Sequence, residues 1–228
     1  INQGIKTNYH FVLWYKTERT ILIKHEKYSY SLPDIGEPKW IYFSSVSKTA
    51  FPSFHNTLAE YLENHPGIKF AFQPGKNEIG LGKEKLAKLY KRADIFFCNV
   101  EETKKILGQE NAPVSELLKK MCELGPKKVV ITDGPKGSYS YDGNESLFMP
   151  PYPDPKPPFE RTGAGDAFSS TVVAALALDK TLAEALAWGG INAMSVVQEI
   201  GAQKGLLTRE KLEEYLRKAP AEYKAKKI

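Results

Sequence analysis

From Pro38 onward, short apolar runs alternate with amphipathic helical stretches, and this rhythm constrains the fold more than any other feature of the chain. Lys39–Ser44 (KWIYFS), Ile68–Phe72 (IKFAF), Asp94–Cys98 (DIFFC) and Lys128–Thr132 (KVVIT) read as strands. Between them lie helical stretches over Ser53–Asn64, Lys83–Arg92, Glu101–Leu107 and Val114–Leu124. Strands this apolar cannot keep one face in water, so they need helices on both sides of a parallel sheet. A hairpin is expected next, Ser138–Tyr141 with Ser146–Met149, turning on Asp142-Gly143. The stretch Pro150–Pro158 then holds six of the chain's 15 prolines. Lacking donors and fixed in φ, they exclude helix and central strand and imply an extended connection over the surface. Three helices complete the reading: Gly163–Leu178, Leu182–Glu199 and Arg209–Lys218.

Upstream, Tyr9–Tyr15 and Thr20–Glu26 are rich in β-branched and aromatic residues around a polar turn, Lys16–Arg19, which signals a hairpin. Its faces do not alternate cleanly. The chain opens on Ile1 rather than Met with a hairpin as its first element, as expected of a piece of a longer chain.

Composition narrows the function classes. With 228 residues, 42% hydrophobic and 26% charged, the sequence resembles an ordinary globular protein, not a disordered, coiled-coil or collagen-like one. Its 32 basic against 27 acidic side chains leave +5, dispersed along the chain. The one dense patch, Lys224-Ala-Lys226-Lys227, reads as a frayed, solvated terminus, so no nucleic-acid partner is expected. Apolar runs fall far short of the roughly 20 residues that span a bilayer, and no signal peptide is evident. Membrane contact is therefore not expected, and a cytoplasmic protein is. Cys98 and Cys122 suit buried thiols in a reducing compartment, and four histidines show no metal-ligand spacing.

Three motifs carry candidate chemistry. Arg161-Thr-Gly-Ala-Gly-Asp-Ala-Phe168 puts two glycines and an N-cap candidate, Thr162, ahead of a helix. The first amides of such a helix attract an anion, and Asp166 in the same turn would take the proton of an attacking hydroxyl. A plain helix cap with close-packed glycines fits the residues equally. Thr132-Asp-Gly134-Pro-Lys-Gly137 follows a strand, where α/β sheets bind ligands, though Asp-Gly-Pro is also ordinary turn chemistry. Asn99-Val-Glu-Glu102 also follows a strand. Its oxygens suit a hydrated Mg²⁺ or, as readily, a capping box. Other templates fail: Gly82-Lys83 is followed by Glu84, so there is no P-loop, and no G-x-S-x-G or complete dinucleotide fingerprint occurs.

Taken in order, these motifs resemble the PfkB (ribokinase-like) carbohydrate kinases, from about residue 7 to residue 207, most specifically through T-G-A-G-D-A-F. The resemblance implies an α/β, ribokinase-like αβα sandwich with a mostly parallel central sheet and a small β lid. Residues 1–32 would be the lid hairpin and its connection, and 33–228 the nucleotide-binding and catalytic core, one domain. It implies Asp166 as catalytic base and the amides of Gly163, Ala164 and Gly165 as an anion hole. Thr132, Gly134 and Gly137 would lie at the ATP phosphates and ribose, and Asn99 and Glu102 would organise Mg²⁺ through water. Asn192, Gly201 and Ala202 would close the adenine pocket, with helix packing the alternative for Asn192 and Ala193. Where such kinases commonly carry D-T-T, this chain has Glu160-Arg161-Thr162. That leaves a K⁺ requirement open, and leaves Arg161 as either a phosphate fork or a surface residue.

The N-terminal part of such kinases has no counterpart here, and the hairpin corresponds to half a lid. Its exposed edge implies upstream residues or a covering partner, including a homodimer through the lid. The resulting expectation is an ATP- and Mg²⁺-dependent kinase acting on a sugar or sugar-like hydroxyl. The alternatives are a nucleoside kinase of the same fold and a non-catalytic nucleotide- or sugar-binding protein. Lys24, His25 and Tyr28 are the only candidates for acceptor specificity.

Overall fold

The structure, a computed structural model, describes residues 6–15, 18–24, 26 and 28–228, with backbone alone at 14, 15, 18, 19 and 21. The turn residues Lys16 and Thr17 and the lid candidate His25 lie outside them. Strands β1 (Tyr9–Tyr15) and β2 (Glu18–Lys24) pair antiparallel as a separate two-stranded ribbon. The main sheet has seven strands in sequential order: β3 (Trp40–Phe43), β4 (Lys69–Phe72), β5 (Ile95–Asn99), β6 (Val129–Thr132), β7 (Ser138–Tyr141), β8 (Ser146–Met149) and β9 (Lys226–Lys227). β3 to β6 are parallel, and β7 to β9 continue the sheet antiparallel.

Alternate residues of the parallel strands feed two cores. Phe43, Phe70, Phe72, Phe96, Val129 and Ile131 face α1 (Ser53–Asn64), α3 (Ala87–Arg92), α4 (Val100–Leu107) and α5 (Val114–Glu123). Ala71, Ile95, Phe97 and Val130 face α6 (Ala164–Ala177), α7 (Leu182–Val196) and α8 (Arg209–Arg217). The result is three layers, helix, sheet, helix, as the apolar strands required. Both faces of the sheet are dry: Phe96 and Val130 are fully buried on opposite sides. Helix ends follow their capping residues. Asn99 and Glu102 cap α4, Thr181 and Glu184 cap α7, and Gly108 ends α4 in the left-handed conformation.

Two expectations are corrected. The helix read over Lys83–Arg92 is only Ala87–Arg92, and a separate α2 (Lys76–Leu81) precedes it. Gly82, at φ +90, breaks the two apart. The C-terminus is not frayed. β9 pairs with β8, Ile228 donates its amide to Ser146 O at 3.1 Å, and Lys227 reaches Glu145 at 2.7 Å. Backbone pairing at the sheet edge outweighs the lysines' preference for water, since the side chains stay exposed while the main chain bonds. Among the described residues no helix is long and apolar enough to cross a membrane. Cys98 is buried, Cys122 half-buried, and both are free thiols.

Candidate active site at the ends of the parallel strands

The parallel strands end together, and the motifs meet there. Asn99 at the end of β5 lies directly beside Thr132 at the end of β6. Gln73, just past β4, donates its amide to Phe43 O at the end of β3 at 2.9 Å. The T-G-A-G-D bend opens α6 with Gly163 in the left-handed conformation (φ +81), so Gly163, not Thr162, is the N-cap and no side chain caps the helix. Ala167 donates to Gly163 O at 2.8 Å, and Ala164 makes a long 3.4 Å bond to Arg161 O. The amides of Gly165 and Asp166 fall among the first-turn donors that an α-helix cannot satisfy internally. A methyl group on Gly163 would stand 2.5 Å from Ala202 Cβ, whereas one on Gly165 would meet nothing within 4 Å. The bend is packed on one side and open on the other.

Asp166 sits in the first turn of α6, at its positive end. Gln73 Nε2 donates to its Oδ1 at 3.1 Å, and the Tyr42 hydroxyl donates to Gln73 Oε1. The carboxyl touches solvent on one side and protein on the other. Partial desolvation raises its pKa, and the Gln73 hydrogen bond counters part of that rise. Glu102 is also raised, first by burial, with the charge of Asp166 adding to it. The two carboxylates therefore feel each other across the site. Asn99 and Glu102 form the capping box: Glu102 N donates to Asn99 Oδ1 at 2.8 Å, and Asn99 N to Glu102 Oε2 at 2.9 Å. Among the described residues no cluster of three or more His, Cys, Asp or Glu could hold a metal.

Beside the bend opens a cleft of about 240 Å³. Thr132, Gly134 and Gly137 line it together with Arg161, Ala164 and Gly165. Gly134 (φ +52) and Gly137 (φ +101) close a tight turn, with Asp133 N donating to Gly137 O at 2.9 Å. Turn chemistry and cleft lining thus coexist in that motif. Arg161 is exposed, and its guanidinium has no ion-pair or hydrogen-bond partner among the described residues.

Residues 1–209 match the model of the pfkB family carbohydrate kinases. The chain belongs to that family. Among curated relatives, it is 37% identical over 93 residues to a ribokinase of Bacillus subtilis, covering 41% of this chain and 31% of the relative. It is 32% identical over 126 residues to a cytidine kinase of Thermococcus kodakarensis, covering 55% and 45%. The matches thus span between about a third and a half of these relatives. A ribokinase structure from Thermotoga maritima superposes with a TM-score of 0.75 at 24% identity, covering 92% of this chain and 70% of that one. The fold is ribokinase-like.

In this pfkB chain the structure brings Asn99, Glu102, Thr132, Gly134, Gly137 and the Gly163–Asp166 bend to one end of the sheet. It does not bring Asn192 to the cleft. That side chain is buried, donating to Thr171 Oγ1 at 2.7 Å and accepting from Leu207 N at 3.0 Å, so it holds α7 to α6 and to the following loop. Ala202 packs on Gly163, and Gly201 N donates to Glu160, which anchors that loop against the bend. Gly190, Ala193 and Met194 of α7 and its C-cap residue Val197 do line the cleft. Their i, i+3, i+4, i+7 spacing is a helical stripe readable in the sequence. Met149 at the end of β8 lines the cleft too, with Pro151 and Tyr152 of the proline-rich connection. Gln73 was missed because a lone glutamine after a strand carries no motif.

Proposed function

We propose that this chain transfers the γ-phosphoryl group of ATP to a hydroxyl of a sugar or nucleoside, with Asp166 as catalytic base. One observation carries the reading: the Asp166 carboxylate stands in the first turn of α6, which no side chain caps, beside Gly165, where an added methyl group would meet nothing within 4 Å. Asp166 accepts the acceptor's hydroxyl proton while that oxygen bonds to the γ-phosphorus and the bond to the ADP oxygen breaks. Gly165 N and its neighbouring first-turn amides donate to the charge that gathers on the phosphoryl oxygens. The apolar stripe of α7 and the wall at Met149 and Pro151 suit a flat base, and Thr132 and Gly134 suit the ribose and phosphates.

The residues fit Mg²⁺ held largely by phosphates and water. Glu102 keeps one oxygen outside the capping box, and its mutual repulsion with Asp166 favours a cation nearby. Mg²⁺ would supply charge neutralisation on the phosphates, with Asn99 and Glu102 orienting its water ligands. Glu160 is engaged by Gly201 N, and Arg161 offers a fixed positive charge at the cleft, so we propose that the phosphates are met by a guanidinium without a K⁺ requirement.

The acceptor is proposed as sugar or nucleoside because the relatives named above include a kinase of each kind. The ribbon exposes Phe11, Leu13 and Leu22, with Phe11 and Leu22 paired across it, and we propose this face as the acceptor's cover and as the seat of a homodimer. The deciding experiment is Asp166→Asn against wild type with Mg-ATP and a panel holding D-ribose and cytidine. Loss of phosphorylation with ATP binding retained is expected. Wild-type turnover in the variant refutes the assignment, and a wild type that binds Mg-ATP but phosphorylates nothing favours a non-catalytic binder.

A further inference from the structure

Asp166 is not held by its own helix alone. Gln73, immediately after β4, crosses the open end of the sheet to donate its amide to Asp166 Oδ1 at 3.1 Å. The other end of that amide accepts the Tyr42 hydroxyl from the neighbouring strand β3. Resting on the reading of Asp166 as base, we propose that Gln73 and Tyr42 are positioning residues that fix Asp166 Oδ1 and leave Oδ2 as the proton acceptor.

The chemistry makes the chain of bonds one-directional. An ionised carboxylate only accepts, so the glutamine must turn its NH₂ toward Asp166 and its carbonyl oxygen toward β3. That orientation needs a donor on β3, and Tyr42 supplies one: burial, then the charge of Asp166, raises its pKa, so it stays protonated. A flipped amide would set its oxygen against the carboxylate while Asp166 is ionised. The orientation therefore holds in the state that accepts a proton and loosens once the proton has arrived. The backbone supports the geometry, since Gln73 N donates to Phe43 O and Tyr42 pairs directly with Ala71 in the parallel ladder. Around Asp166 the titratable groups are Tyr42 of β3 and Glu102 of α4; both interact with its charge, and neither bonds it directly. Among the described residues Gln73 is thus the one side chain that hydrogen-bonds the Asp166 carboxylate; Ser170 Oγ donates to the Asp166 main-chain carbonyl instead.

The test uses the full chain labelled with [4-¹³C]aspartate, the Asp166 carboxyl signal being assigned by its loss in Asp166→Asn. Gln73→Leu should move the Asp166 titration midpoint upward, because the ionised form loses its donor, and Tyr42→Phe should move it less in the same direction. With Mg-ATP and D-ribose or cytidine, Gln73→Leu should lower kcat by as much as about 100-fold and shift the acidic limb of the pH–rate profile upward, with KM for Mg-ATP unchanged. An Asp166 midpoint unmoved in Gln73→Leu overturns the proposal; if that variant fails to fold, an unmoved midpoint in Tyr42→Phe does so. The two ideas fail separately. Turnover in Asp166→Asn sinks the base assignment, whereas an inert Asp166→Asn beside a kinetically normal Gln73→Leu sinks only the positioning role.

Discussion

Two glycines of the same bend should respond in opposite ways to one added methyl group. Gly165 lies in the first turn of α6 with nothing within 4 Å of a would-be Cβ. Alanine is better than glycine in a helix interior by about 1 kcal/mol, so in a first turn Gly165→Ala should stabilise by about 0.5 kcal/mol. At ~2–4 °C per kcal/mol for a chain of this size, the melting temperature rises by about 1–2 °C. Gly163 differs on both counts. Its φ of +81 costs an L-residue about 1–2 kcal/mol, and the new Cβ would stand 2.8 Å from Ala202 Cα, a backbone atom that cannot swing aside. Overpacking adds about 1–3 kcal/mol, so Gly163→Ala should lose roughly 2–5 kcal/mol. Binding should reverse the order of harm relative to stability. If phosphate oxygens occupy the open space before Gly165, its methyl group removes at least one charge-assisted amide bond, worth about 1.5–3 kcal/mol, or roughly 10- to 150-fold in Mg-ATP affinity. Thermal melts paired with isothermal titration of Mg-ATP read both quantities. A Gly165→Ala protein that is more stable and binds Mg-ATP like wild type would show that phosphates do not sit there.

Arg161→Ala should weaken ATP by roughly 10- to 150-fold while leaving adenosine affinity unchanged, because only the phosphates meet the guanidinium; equal losses for both ligands would contradict the assignment. Asp94, at 5% exposure, accepts from Phe70 N at 2.9 Å, Lys127 at 2.8 Å and Arg92 at 3.1 Å. Burial works against its charge, but Lys127 and the Phe70 amide hold its pKa below the ordinary carboxylate range. Its stabilisation is therefore full above that range and lost as pH falls through the folded-state pKa, and Asp94→Leu should cost about 3 kcal/mol in urea melts at pH 7 and flatten that acid dependence. The sign is opposite for Asp166, whose pKa is raised in the fold by desolvation ahead of the countering Gln73 bond. Its ionised form costs stability above the folded pKa, so Asp166→Asn should be more stable than wild type at pH 8, with the gain vanishing below the unfolded value; a gain that grows toward acid pH would reverse the assignment.

Much of this was legible in local patterns. The strands IKFAF and DIFFC announced burial on both faces because no alternation was left for a wet one, and their residues do divide between the two cores. Asn99 and Glu102 were readable as a capping box, and that is how they bond. The glycine bend marked the start of α6 to within a residue, although Thr162 is not its cap. Side-chain destinations that depend on another element were not legible. Asn192 could have faced the cleft or the neighbouring helix, and only the approach of Thr171 and Leu207 decided it. The lysine-rich end looked solvated because its side chains are, yet a vacant edge on β8 captures its backbone.

The sequence by itself determined the layers, the parallel strands and the turn that bears Asp166, because periodicity, glycine and capping act over a few neighbouring residues. Only the tertiary structure decided that Gln73 and Tyr42 reach that aspartate and that the α7 stripe and the proline wall line one cleft. Those relations join positions far apart along the chain, and packing, not local preference, sets the distance between them.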